Sequence, residues 1–267
     1  MKILILSGSH SRHMFVHNAI MESGFECAAV VMQREELMPK EPDHASKHEK
    51  NLFRKHFSER KEIEDATFGK LVTKKFYKTI PSFFCRPESL NSKETLDFIK
   101  KQKADLAFIF GTNLIKEPIL SALPPNKINL HLGLSPWYRG SATLFWPFYF
   151  LQPQYAGATF HQIIPEADAG DIVHQLTPTL ENNDGIHDVA VKTILDAKSS
   201  LIKIIKEFSS KNKLVQYKQK TSGRLFRTGE FHYSHLRLVY DLYENKIVDE
   251  YLRGNLLKTL PSLINGL

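Results

Sequence analysis

Cysteine is nearly absent. Cys27 and Cys85 are the only two in 267 residues, too few for a disulfide framework, and neither sits in a C-x-x-C pair. Long apolar runs are missing too, and without one of about 18 residues no helix crosses a bilayer. The opening stretch MKILILSGSHSRH has a short apolar run and no small-residue cleavage site, unlike a secretory signal. These absences predict a reduced, soluble, cytoplasmic protein with no membrane attachment. Neither G-x-G-x-x-G nor G-x-x-x-x-G-K-[ST] occurs, which excludes the usual dinucleotide fingerprint and phosphate loop. His10-Ser11-Arg12-His13 has H-x-x-H spacing but no H-E-x-x-H and no nearby acidic third ligand, so no metal centre is expected.

What is present is a globular balance, 42% apolar and 24% charged. Thirty-six Lys and Arg against 29 Asp and Glu leave a net charge of +7, which favours anionic partners such as nucleotides or phosphate groups. The cations form no single block and Glu is mixed among them. A phosphorylated small molecule is therefore favoured over nucleic acid.

KILIL at 2–6 reads as a buried strand, a helical period follows to 22, and ECAAVVM at 26–32 reads as a second strand. Such a βαβ unit starts a parallel sheet. A polar linker to about 46 and one or two surface helices follow. The pattern resumes with a helix near 92–102, a strand at 104–110, a short helix around 115–122 and a strand at 127–131. Two further strands are read at 156–164 and 171–176. The apolar stripe Val189, Ile194, Leu201, Ile205 and Phe208 marks a long helix over 184–209. The expected fold class is α/β, a twisted and mostly parallel sheet with helices on both faces. It spans 1–210, with a small C-terminal extension over 211–267 that holds a strand near 223–227.

The densest stretch runs from Ile128 to Gly140, INLHLGLSPWYRG. Alternation along a strand puts Asn129 and His131 on one face at its carboxyl end, where open parallel sheets bind ligands. Gly133, Pro136 and Gly140 then force an irregular turn. The loop PEADAGD at 165–171 brings Asp168, 37 residues after His131 (168 − 131), back to the same sheet edge. Ser135, His131 and Asp168 could be recast as a hydrolytic triad, but a nucleophile elbow needs G-x-S-x-G and this turn reads G-L-S-P-W. Ser135 therefore shapes the turn. Gly8 to His13 leads into the first helix, whose free N–H groups suit a phosphate, with Arg12 and His13 adding positive charge. The aromatics of LFWPFYF at 144–150 read as core, and His161 and His174, on predicted strands, read as structural.

The segment from about Phe108 to Val173 resembles the formyltransferases that use 10-formyltetrahydrofolate. Their N-x-H strand end appears here as N-L-H, their turn H-x-S-L-L-P-x-Y-x-G as H-L-G-L-S-P-W-Y-R-G, and their L-D-x-G-[DP] loop as A-D-A-G-D. Gly133 and Ser135 replace the usual Ser and Leu of the turn, and Ala167 the usual Leu before Asp168. The resemblance implies three catalytic residues: Asn129 as donor to the formyl oxygen, His131 as protonated donor and Asp168 as base and partner of His131. Asp168 is expected to raise the pKa of His131 by charge attraction. It also implies folate contacts at Phe110, Gly111, Thr112, Ala167 and Gly170, while Ser9, His10, Arg12 and His13 at the helix start, with Tyr138 and Arg139 of the turn, are the expected acceptor contacts. The 56 residues after Lys211 (267 − 211) are short for the barrel that follows the catalytic part of methionyl-tRNA formyltransferase. Ser141-Ala142-Thr143 stands where glycinamide ribonucleotide transformylase carries a histidine-containing run. The amine of a nucleotide-linked sugar is thus the expected acceptor. A tRNA-directed enzyme, a formyltetrahydrofolate deformylase and a folate- or nucleotide-binding protein without turnover are the alternatives.

Overall fold

The computed structural model describes residues 1–34, 39–70, 75–219 and 223–267. The polar linker is described only outside 35–38.

Alternating apolar residues make β1 (Lys2–Gly8) a strand buried on both faces: Ile3 and Ile5 look one way, Leu4 and Leu6 the other. It lies third in a seven-stranded sheet of order β3-β2-β1-β4-β5-β7-β8. The other strands are β2 (Glu26–Met32), β3 (Ser82–Cys85), β4 (Leu106–Phe110), β5 (Asn126–His131), β7 (Ala158–Gln162) and β8 (Ile172–Leu176). Five strands, β3, β2, β1, β4 and β5, run parallel, whereas β7 is antiparallel to β5 and β8 to β7. The expected mostly parallel α/β sheet is thus observed.

Helices cover both faces. α1 (Ser11–Glu22) and α6 (Ile186–Lys211) pack on the side of Ile3 and Ile5. α3 (Lys93–Gln102) and α4 (Ile119–Ala122) pack on the side of Leu4 and Leu6. Each fully buried Leu, Ile or Phe in these layers contributes roughly 1.5–3 kcal/mol. The surface segment forms one long helix, α2 (Lys47–Phe68), which starts at a Ser46–Glu49 capping box. β3 was not anticipated, because four residues bounded by Pro81 and Arg86 give too little period to detect.

A third apolar cluster joins α2, α5 (Trp146–Tyr149) and the start of α6 to the C-terminal extension, through Phe226, Leu236, Val239, Tyr240 and Ile247. Within the extension, β9 (Arg224–Phe226) pairs in parallel with β6 (Tyr138–Gly140), the strand that follows the turn after His131. α7 (Ile247–Arg253) follows, and the chain then returns along β8, where Gln175 N–H donates to the Ile264 carbonyl at 2.8 Å.

Candidate active site

β5 ends at His131, and its pleat places Asn129 and His131 on one face at the sheet's carboxyl edge. The 165–171 loop returns beside them. There the His131 Nδ1 to Asp168 Oδ2 distance is 3.3 Å, with both side chains largely buried. Asp168 is further held by the Gly140 N–H at 2.8 Å, and its backbone adopts φ +50°. Ser135 Oγ and Gln219 Nε2 donate to the Asp168 carbonyl at 3.3 and 2.9 Å, and the Arg139 guanidinium donates to the Ala167 carbonyl at 2.8 Å. Such ties fix a strained acidic residue in place.

Burial alone would raise the Asp168 carboxyl. The His131 and His161 rings and the Gly140 N–H overcome that and hold it well below the usual carboxylate range. His131 differs from the expectation of a net rise. Burial pushes its pKa down, and this outweighs the opposing pull of Asp168 and of the Tyr138 carbonyl, which accepts from Nε2 at 2.8 Å. Both ring nitrogens nonetheless face acceptors, so a proton taken up by this ring has a bond waiting for it.

Gly133 makes that geometry possible. A Cβ there would lie 2.5 Å from His131 Nε2 and 2.6 Å from the Tyr138 carbonyl oxygen, too close to both partners of their hydrogen bond. The departure from the family's Ser is therefore a steric requirement of this turn. Ser135 shapes the turn as expected, its N–H donating to Thr159 Oγ1 at 3.0 Å.

His161 was read as structural, and the structure corrects this. Its Nε2 lies 3.2 Å from Asn129 Nδ2 and 3.3 Å from Asp168 Oδ1, while Nδ1 meets the Gln162 carbonyl at 2.8 Å. With Nδ1–H given to that carbonyl, neutral His161 accepts from the Asn129 amide. The same nitrogen faces the Asp168 carboxylate. The antiparallel pairing of β7 with β5, which sets Asn129 opposite His161, was the missing signal.

Asn129, His131 and Asp168 line one open cleft of about 730 Å³, together with Arg12, His13, Phe110, Gly111, Thr112 and Ala167. Other assigned residues stand behind this wall. The Tyr138 ring is buried in the third cluster with its hydroxyl on Gln152 Oε1, and Arg139 clips the acidic loop. Ser9 binds the backbone of Arg34, and His10 stacks on His13 with ring centroids 5.3 Å apart. Gly170 is packed against the Gln162 carbonyl.

The start of α1 bears charge differently from the sequence reading. His13 is wedged between Gly8 and Gly111, and burial, aided by Arg12, drives its pKa far down, so it brings no positive charge. Arg12 is paired with Glu64, Nη1 lying 2.8 and 2.6 Å from the two carboxylate oxygens. Arg34 instead lines the cleft here, and its pKa is lowered by burial and by the nearby Arg12. Arg227 and Thr228 reach the cleft from the extension, a contribution that no local sequence signal carries. Among the described residues no cluster of His, Cys, Asp and Glu forms a metal site, and no helix is long and apolar enough to cross a membrane.

The sequence profile of the family described as Formyl transferase matches residues 1–205. A 4-N formyltransferase from Francisella tularensis is similar in structure, with TM-score 0.57 and 19% identity over 86% of this chain and 77% of that one. The formyltransferase PseJ from Anoxybacillus kamchatkensis, solved with UDP-4,6-dideoxy-4-formamido-L-AltNAc and tetrahydrofolate, gives TM-score 0.52 and 16% identity over 92% and 96%. Phosphoribosylglycinamide formyltransferase from Bacillus halodurans gives TM-score 0.54 and 17% identity over 80% and 97%. At these identities the structural likeness is one of fold.

Proposed function

Because this chain belongs to the formyl transferase family, we propose that it moves a formyl group from 10-formyltetrahydrofolate to the primary amine of a small phosphorylated or nucleotide-linked acceptor, with an amino sugar leading. The observation that carries this reading is the meeting of Asn129, His131 and Asp168 in one cleft. The acceptor nitrogen bonds to the formyl carbon, and the bond from that carbon to the folate nitrogen breaks. The proton lost by the amine passes to the departing nitrogen. Asn129 donates its amide to the formyl oxygen as charge develops there, and one such donor supplies roughly 3–4 kcal/mol. Asp168, ionised at neutral pH, takes the amine proton directly or through water, and His131 relays it.

Phe110, Gly111, Thr112 and Ala167 make a wall of backbone groups and one ring, which suits a pterin. The acceptor's anionic end fits the opposite side, at the start of α1. That helix has no side-chain cap bond and no acidic residue in its first turn, and Arg34 stands beside it. Arg34 leads Arg12 there because Glu64 already neutralises Arg12.

The test adds a nucleotide-linked amino sugar to the protein and 10-formyltetrahydrofolate. Tetrahydrofolate should be released and the sugar should gain the mass of CO. Asp168→Asn should lose roughly 10²–10⁴-fold in rate while still binding tetrahydrofolate. Near-native turnover of that variant would remove Asp168 from the mechanism. Release of tetrahydrofolate without any amine would make the protein a deformylase.

A further inference from the structure

Beside the cleft lies a second cavity of about 300 Å³ that the proposed reaction does not use. Arg12, Leu132, Ala142 and Thr143 line both spaces, so the two adjoin at the residue that follows His131. Three segments remote in sequence build its walls: His56 and Phe57 from α2, His187 and Ala190 from α6, and Phe231 from the C-terminal extension.

Rings supply most of the inner surface. Phe145 and Phe231 meet edge to face at 4.9 Å, and His56 stands edge-on to Phe57 at 5.0 Å and 4.5 Å from His187. The two imidazoles are held from behind, His56 Nδ1 lying 2.9 Å and His187 Nε2 3.5 Å from the Tyr240 hydroxyl. Burial, aided by the charge of Arg60, pushes the pKa of both rings down, so they are uncharged at neutral pH. At the mouth, Arg12 and Glu64 cancel each other. Arg60 also lines this space, with its guanidinium 5.0 Å from the Phe57 ring centroid; across the rest of the wall a neutral ring or alkyl group meets aromatic faces and two uncharged imidazoles. A sealed apolar cavity of about 150 Å³ takes one benzene, so this larger one has room for a substituted six-membered ring.

We propose that this side cavity is a subsite for an uncharged, largely apolar substituent of the amine acceptor, lodged between α2 and α6 while the amine lies at His131 and Asp168. The assignment rests on the formyl-transfer reading and adds a selection rule to it: the anionic end points to α1, the uncharged substituent to α2.

Ala190 is the position to vary, since it is small and lines this cavity but not the cleft. Ala190→Phe fills the space, and Ala190→Met fills less of it should the larger ring disturb folding. Benzyl alcohol is titrated into the full chain by calorimetry, with tetrahydrofolate as the control. The native protein should bind benzyl alcohol saturably, Ala190→Met at least tenfold more weakly and Ala190→Phe not at all, with tetrahydrofolate affinity unchanged. Two nucleotide-linked amino sugars, with and without an acetamido group beside the amine, are then compared as acceptors. In Ala190→Met a tenfold rise in KM should fall on the acetamido sugar alone. No saturable benzyl alcohol binding, or an equal KM change for both sugars, overturns the subsite. Benzyl alcohol binding that Ala190→Phe abolishes, with no transfer to any amine, sinks the transfer reading and the acceptor assignment with it, leaving a site for neutral rings.

Discussion

At position 133 a single methyl group would crowd both His131 and the carbonyl that holds it. Gly133→Ser restores the residue that the family's turn carries, and here it should push His131 off Tyr138. That bond favours the charged ring, so its loss lowers the His131 pKa further. The alkaline limb of the kcat/KM profile should move to lower pH while turnover falls, because the protonated donor becomes scarcer. A buried hydrogen-bonding group left without its partner also costs about 1–3 kcal/mol, which a lower Tm will report. An unchanged pH profile and Tm would mean that the Tyr138 contact does not matter. His161 teaches a related lesson. Nothing local distinguishes it from His174, and only its position across the ladder from Asn129 brings it to Asp168.

The element that decides whether these side chains meet is the 165–171 loop. Its last turn packs Gly170 onto the backbone of β7, so that a Cβ would overlap the Gln162 carbonyl oxygen. Backbone cannot yield as a side-chain tip can. Gly170→Ala should therefore lift the loop, break the Gln219 bond to the Gly170 carbonyl at 2.8 Å and carry Asp168 away from His131. Strain of this kind costs about 1–3 kcal/mol. The expected result is a folded protein by far-UV circular dichroism with a lower Tm and almost no transfer activity. Native activity in this variant would show that the loop tolerates displacement. The strands flanking the loop were legible from their apolar runs. Their antiparallel direction was not, because period reports burial and not orientation.

Across the whole molecule, buried uncharged histidines tie stability to pH. Burial lowers His17 to about 3 and His187 to about 4, whereas an unfolded chain titrates near 6.5. Between those values the unfolded state binds more protons, so stability is complete above about pH 6.5 and is lost as pH falls toward 4. Thermal unfolding should give a flat Tm above neutrality and a steep decline below pH 6. A Tm independent of pH across that window would show that these rings are not held neutral. His187 also illustrates how far the extension is built into the fold, since its partner Tyr240 comes from beyond residue 211.

Apolar runs, the N-L-H strand end and the A-D-A-G-D loop were enough to determine the α/β class and to single out Asn129, His131 and Asp168, which the fold brings to one cleft. Each of these depends on residue type and short-range spacing, which a sequence states directly. Folding alone decided that Glu64 neutralises Arg12, that His13 is wedged between two glycines and that Arg34 takes the open place beside α1. It also brought His161 to the acidic loop and set Phe231 against α2. Charge and burial are properties of neighbourhoods, and these neighbourhoods join segments as far apart as α2 and the C-terminal extension.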